Sequence, residues 1–239
     1  MQTLCSLQFE TKKEYQKNLD TLLDLISKAP EKSLLVAPEV CLTGFDYENF
    51  EKAQEFSSLA TEAIKKISTN KTIILTMIEK RENKFYNLVK LFSNNEIVFE
   101  RPKARLFTFG GEEKYFAEGM DDQIKLIEIN GIKIGMLICF ELRFKELWCK
   151  LEGADIIVVP SWWGAIRADH FKSLTKALAI INQCYVIASD SFNEECSKMS
   201  GIISPMGKEL RNGNIPCLEL AYDKKEIRKM RRYMDVGIG

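Results

Sequence analysis

The stretch Gly135-Met136-Leu137-Ile138-Cys139-Phe140-Glu141-Leu142-Arg143-Phe144 sets the frame for the whole chain. Its first half is an apolar run of buried-strand type, and a helix is expected over about residues 143–151. The Cys139 thiol then stands at a strand-to-helix elbow. Free backbone N–H groups and a helix dipole at such a place favour a thiolate. The same N–H groups can bind an oxyanion. Cys139 is thus a candidate nucleophile, and its meaning depends on what other strand ends bring to it.

On either side of this stretch, apolar runs alternate with amphipathic ones. Residues 4–9, 33–39, 72–78 and 154–161 read as strands, most of them buried. Residues 85–92 and 96–100 form a hairpin around Ser93-Asn94-Asn95, and 124–129 and 132–139 another around Asn130-Gly131. Three helices show apolar faces at the 3.6 period: Tyr15, Leu19, Leu22, Leu23 and Ile26; Phe56, Leu59, Ala63, Ile64 and Ile67; Phe171, Leu174, Leu178 and Ile181. Late strands are expected at 185–189, 199–204 and 217–221, and a basic helical tail at 224–233. Such mixing argues an α/β class with sheet covered by helices. Leu34-Leu35-Val36-Ala37-Pro38-Glu39 and Ile156-Ile157-Val158-Val159-Pro160-Ser161 share one shape, a buried strand closed by proline and a polar residue. That echo fits two similar sheets packed together. No linker interrupts the chain, so residues 1–239 read as a single domain, with 223–239 a C-terminal helix or arm.

Lysine plus arginine equals aspartate plus glutamate at 34 each. The balance gives no reason to expect nucleic acid or an anionic membrane as partner. No apolar run reaches the roughly 18 residues of a membrane span. The start lacks the basic and long apolar regions of a signal peptide, so a cytoplasmic location is expected. Seven cysteines, at 5, 41, 139, 149, 184, 196 and 217, include no C-x-x-C pair. Their odd number and wide scatter argue against a disulfide framework and a cysteine-rich zinc site. Most read as small core residues, with one reactive exception.

His170 is the only histidine. Any Cys-His or Ser-His-Asp hydrolase would have to use it, although its plain reading is a helix-start or pocket-wall residue. Glu39, the first polar residue after a buried strand, is another possible base, since burial raises a carboxylate's pKa; otherwise it is a surface glutamate. Lys103 follows Pro102 and could hold its ammonium over an oxyanion or pair with Cys139 and Glu39; the commoner fate of a lysine is solvation. Glu112 sits in the loop Gly110-Gly111-Glu112-Glu113-Lys114-Tyr115-Phe116 and by itself is an ordinary loop carboxylate.

Taken together, Pro38-Glu39-x-x-Leu42-Thr43-Gly44-Phe45, Lys103-x-x-Leu106-Phe107 and Cys139-Phe140-Glu141-Leu142-Arg143-Phe144 resemble the nitrilase, or carbon–nitrogen hydrolase, superfamily over nearly the whole chain. The resemblance implies a Glu-Lys-Cys triad at Glu39, Lys103 and Cys139, with Glu112 as a second glutamate and Glu113 its neighbouring alternative. It implies a four-layer αββα two-sheet sandwich, homodimers or larger homo-oligomers, and no metal or organic cofactor. Within the family, Cys139-Phe140-Glu141-Leu142-Arg143-Phe144 is similar to the Cys-Tyr-Asp-Leu-Arg-Phe of the omega-amidase-like branch. Trp163-x-x-x-Arg167-x-x-His170-Phe171 is similar to that branch's Trp-Pro-x-x-Arg-x-x-His-Trp. Lys145 stands where proline is usual, Ala104-Arg105 where the family often has x-His, and Leu178 and Ile181 where it often has an arginine and an acid.

The resemblance therefore implies hydrolysis of a small linear amide through a cysteine thioester, releasing ammonia. Glu39 would serve as base, and the Phe140 N–H and Lys103 as oxyanion donors. Arg167 is expected to anchor a substrate carboxylate, with Trp163 as a wall and Phe45, Phe140 and His170 nearby. Arg143 is expected to pair with an acid such as Glu141. The alternatives are an N-carbamoyl amine or amino-acid hydrolase, a nitrilase, and an inert binding or assembly module. The basic tail reads as a solvated helix or inter-subunit arm in preference to a nucleic-acid patch.

Overall fold

A computed structural model describes residues 1–238. The chain begins with β1 (Thr3–Leu7), α1 (Tyr15–Lys28), β2 (Ser33–Val36), α2 (Phe50–Ile67) and β3 (Thr72–Arg81). Parallel strands need long crossovers, and the two helices supply them. β4 (Lys84–Ser93) and β5 (Glu96–Pro102) then extend the sheet as an antiparallel meander. Its turn residues Asn94 and Asn95 have φ of 48° and 67°, a left-handed conformation that asparagine tolerates.

The second half repeats the plan. β6 (Ile127–Ile129) and β7 (Ile132–Met136) form a hairpin turned at Asn130-Gly131; α3 (Lys145–Cys149) leads to β8 (Ile156–Ser161), and α4 (Ala168–Asn182) to β9 (Tyr185–Asp190). β7, β8 and β9 are parallel, and β10 (Gly201–Ile203) and β11 (Glu209–Leu210) continue antiparallel. β12 (Cys217–Ala221) returns to pair with β1, and α5 (Lys224–Tyr233) ends the fold. The sheet orders are β12-β1-β2-β3-β4-β5 and β11-β10-β9-β8-β7-β6. β2 and β8, which carry the echoed sequences, are each the middle strand of a parallel triplet.

Strand alternation builds the layers. Leu4, Leu34, Val36 and Ile74 of the first sheet join Ile134, Ile156, Val158 and Ile202 of the second in one buried cluster. The intervening Cys5, Leu7, Leu35, Ile73 and Leu75 pack against Leu19, Leu22 and Ile26 of α1 and Ile64 of α2. Phe171, Leu178 and Ala179 of α4 belong to the cluster that holds the second sheet. The Ser6 hydroxyl donates to the Ala188 carbonyl at 2.8 Å, and that of Ser189 to Leu7 at 2.5 Å, tying the sheets together. The result is the expected αββα sandwich. The tail is helical as expected and docks on its own chain. Ile227 and Met230 are buried, and Glu226 accepts from the Tyr185 hydroxyl.

Several local expectations need correction. The helix expected over 143–151 is a 3-10 turn, Cys139–Arg143, followed by the five-residue α3. α2 starts earlier than its apolar face suggests, and β11 was not foreseen. Leu59 lies opposite the buried stripe of α2, and Ile181 falls at the edge of the α4 stripe; both are exposed.

Candidate active site

The parallel strands and β5 run in one direction, so their C-terminal ends meet at one end of the sandwich. β2 delivers Glu39, β5 delivers Lys103, β7 delivers Cys139 and β8 delivers Trp162. Two of these ends are strained. Val40, just after Glu39, has φ 41°, and Cys139 itself has φ 45°. Left-handed backbone is costly for a β-branched residue such as Val40, and it concentrates at functional sites. The Val40 N–H is held by the Thr76 hydroxyl at 2.7 Å.

Lys103 is the hub, and its side chain is 1% exposed. Its Nζ donates to Glu39 Oε1 at 2.7 Å and to Glu112 Oε1 at 2.8 Å. Glu39 Oε1 also accepts from Asn87 Nδ2 at 2.8 Å, and Oε2 from the Trp162 N–H at 3.2 Å. Glu112 Oε2 accepts from the Phe107 N–H at 2.6 Å. The Cys139 thiol donates to the Trp162 carbonyl at 3.8 Å. The sequence left Glu112 and Glu113 as alternatives; Glu112 is the buried one and Glu113 points to solvent.

The electrostatics follow from burial. Desolvation pushes Glu39 above the usual carboxylate range, against the pull of the Lys103 ammonium. Burial works against the charge on Lys103, but Glu39 and Glu112 together hold it firmly protonated. Desolvation and then Glu39 push the Cys139 thiol well above its ordinary value. This corrects the expectation of a thiolate favoured by a helix dipole: the turn after Cys139 is too short to carry one. The resting group is a neutral thiol beside a carboxylate, an arrangement that calls for a general base.

A second buried ion pair lies beneath. Glu141 accepts from Arg101 Nη1 at 2.8 Å and Nη2 at 2.6 Å. It also accepts from the N–H groups of Ala104 and Ile138 at 2.6 and 2.7 Å. These are the residues next to Lys103 and Cys139, so one carboxylate fixes both strand ends. The expected Arg143–Glu141 pair is therefore absent; Arg101 occupies Glu141.

Arg143 turns instead toward the small cleft over the thiol, of about 30 Å³, lined by Phe107, Phe140, Trp162, Trp163 and Arg167 as well. It lies over the Trp163 ring at 4.8 Å and bonds His170 Nδ1 at 3.1 Å. Arg167 lies over Phe107 at 5.2 Å. A Cβ on Gly164 would come within 2.9 Å of the Arg167 guanidinium, so glycine makes room for it. Neither arginine forms an ion pair among the described residues. Burial and the neighbouring Arg167 lower the Arg143 pKa.

Of the residues singled out from sequence, Cys139, Phe140, Trp163 and Arg167 line the cleft, and Glu39, Lys103 and Glu112 form a buried cluster joined through the Lys103 ammonium. His170 stands behind Arg143. Phe45 is elsewhere, in an aromatic cluster with Tyr47 and Phe116, where it packs edge-on against Trp162 at 5.9 Å. Asn87, Arg101, Glu141, Arg143, Trp162 and Asp190 were not foreseen in their positions. Asp190 accepts from the N–H groups of Trp163 and Lys198 at 2.7 and 3.0 Å and from the Ser197 hydroxyl at 2.5 Å, and so holds the Trp163 wall. The three donors work against burial, which nonetheless lifts Asp190 to about 7.

Comparison with known proteins agrees with this fold. The sequence profile of the family described as carbon–nitrogen hydrolase matches residues 3–213. A 2-oxoglutaramate amidase of Bacillus subtilis is 30% identical, over 88% of this chain and 86% of that protein. A deaminated glutathione amidase of Escherichia coli O157:H7 is 28% identical, over 96% and 93%. The crystal structure of Saccharomyces cerevisiae Nit3, a nitrilase-superfamily member, superposes with a TM-score of 0.85 at 21% identity, covering 98% of this chain and 94% of that one.

Proposed function

The chain belongs to the carbon–nitrogen hydrolase family, and from that premise we propose an amidase that removes ammonia from small linear amides carrying a carboxylate. The observation that carries the reading is the buried Lys103 ammonium bridging Glu39 and Glu112 beside the Cys139 thiol. In the proposed sequence Glu39 takes the thiol proton as sulfur attacks the amide carbon. Lys103 and the Phe140 N–H stabilise the oxyanion. Collapse expels ammonia, which takes its proton from Glu39, and leaves a thioester on Cys139. Glu39 then deprotonates water, which attacks the thioester; the acid departs and the thiol is restored.

The substrate class rests on Arg143 and Arg167. Two guanidinium groups without acidic partners among the described residues, at the mouth of an aromatic cleft, suit a carboxylate held by paired hydrogen bonds. Relatives whose names specify acidic amides support the same reading. We also read residues 1–239 as one domain, assembling with copies of itself in the cytoplasm. In support, Ile181 and Met206 are exposed on α4 and a nearby turn. Among the described residues no helix is long and apolar enough to cross a membrane.

A panel of dicarboxylate monoamides, neutral amides, N-carbamoyl amines and nitriles tests this, read by ammonia and carbon dioxide. Acidic amides should be preferred, and Arg167→Ala and Arg143→Ala should erase the preference by raising KM. Carbon dioxide release would transfer the chain to the carbamoyl hydrolases. Ammonia release by Cys139→Ala would overturn the mechanism.

A further inference from the structure

We propose that Cys5, Cys217 and Glu219 form a zinc site that clips the edge strand β12 to β1, separate from the catalytic centre. Cys5 faces Glu219 across the β1–β12 ladder, and Cys217 lies two residues further along β12, on the same face as Glu219. The two thiol sulfurs and a carboxylate oxygen all lie within 4.8 Å of one another. Cys217 Sγ is 3.8 Å from Glu219 Oε1. A tetrahedral zinc ion with Zn–S near 2.3 Å and Zn–O near 2.0 Å sets its ligand atoms ~3.5–3.8 Å apart. Closure then asks for shifts of about 1 Å or less from side chains at a sheet edge.

Chemistry selects the metal. Two thiolates suit soft or borderline ions, and adding a carboxylate favours zinc over copper(I). Glu219 is exposed and Cys217 half-buried, so water can take the fourth position. Charge also closes: two thiolates and a carboxylate around Zn²⁺ leave one negative charge, and the Lys71 ammonium lies close enough to act on Cys5. Zinc binding displaces the two thiol protons. The 211 residues between Cys5 and Cys217 hide the site from any spacing rule.

The test uses the full chain carrying Cys139→Ala, which removes the catalytic thiol as a rival ligand, in a phosphine reductant that keeps Cys5 and Cys217 reduced. Zinc ion is titrated against a chromophoric chelator, and cobalt(II) is added separately as a spectroscopic probe. The expected result is one equivalent of zinc, a thiolate-to-cobalt charge-transfer band, and a higher melting temperature with zinc. Cys217→Ser, at the rim of the fold, should weaken zinc by more than about tenfold, the least that loss of even an outer partner costs a zinc site. It should also abolish the melting shift. Glu219→Gln should keep the charge-transfer band and lose affinity. Failure of the Cys139→Ala protein to compete with the chelator, or zinc affinity unchanged by Cys217→Ser in a protein with a normal zinc-free melting curve, overturns the proposal.

Discussion

Cys139 is stored as a neutral thiol, because burial and the Glu39 carboxylate oppose its ionisation more than Lys103 favours it. Acidity and turnover should therefore separate in Glu39→Gln. Removing the neighbouring negative charge lets the thiol pKa fall, so Cys139 should alkylate faster at neutral pH. Amide turnover should drop by about 10²–10⁴, the range for loss of a general base. Mass spectrometry of alkylated peptides alongside ammonia release checks both; slower alkylation would show that Glu39 does not hold the proton back. Asp190 gives a second residue-scale prediction. Its folded pKa of about 7 lies above the ordinary carboxylate value. The folded state then binds more protons between those values, so this group's contribution to stability falls as pH rises from about 4 to 7 and is level above. Between pH 5 and 8 wild type should lose on the order of 3 kcal/mol relative to Asp190→Asn, whose slope lacks this contribution. Urea unfolding of both proteins at the two pH values decides it; parallel slopes would mean that Asp190 is ionised throughout. Glu39, Lys103 and Cys139 were legible as candidates because each closes a recognisable strand pattern. Asp190 was not, since it falls one residue past the strand expected at 185–189 and acts through the Trp163 backbone. Arg143 was misread because sequence proximity to Glu141 says nothing of Arg101, which reaches that carboxylate from another strand.

Elements meet through side chains that belong to neither motif by itself. The Arg101–Glu141 pair joins the end of β5 to the turn after β7, and both side chains are almost fully buried. Taking the charge from one member of such a pair leaves the other uncompensated, at a cost of about 3–5 kcal/mol. Glu141→Gln should destabilise the fold by that order, measured by urea unfolding. It should also lower kcat more than it raises KM, because glutamine keeps only one acceptor oxygen, so one of the Ala104 and Ile138 N–H groups that set Lys103 and Cys139 faces a donor in its place. A change confined to KM would mean that the pair serves the cleft wall alone. Turn chemistry made the hairpins readable, since Asn94-Asn95 and Asn130-Gly131 adopt left-handed backbone that few other residues accept. The elbow was readable as a strand end but not as a 3-10 turn. Its form depends on the left-handed conformation of Cys139, which tertiary contacts impose and periodicity cannot report. Glu141 spends its carboxylate on Ile138 and Ala104, and α3 starts only after Phe144.

The whole molecule is two copies of one strand plan laid face to face, and that arrangement explains why its chemistry is shared between distant halves. Glu39 follows the middle strand of one parallel triplet, Ser161 ends that of the other, and the Glu39 N–H donates to the Ser161 carbonyl at 3.2 Å. Both sheets must therefore be in register before the Glu39 carboxylate meets the Cys139 thiol. One exposed apolar face is the outside of α4. Ile181 is 57% exposed there, and Met206 is 52% exposed on the turn whose Gly207 packs against Ile180. Apolar side chains grouped at an exposed helix face mark an association surface more often than singly scattered ones do. A symmetric dimer would place Ile181 against an equivalent apolar patch on its partner. Ile181→Glu should then convert the protein to monomers in sedimentation velocity, because a carboxylate desolvated in that contact has no cation to meet it. Its far-ultraviolet circular dichroism and unfolding midpoint should stay close to those of wild type, since Ile181 is outside the buried stripe of α4. A wild-type protein that sediments as a monomer, or an Ile181→Glu variant that remains associated, would place the contact elsewhere. If turnover per chain falls when the variant dissociates, the cleft, whose Trp163 packs on Phe171 of the same helix at 5.2 Å, depends on the assembled form of α4.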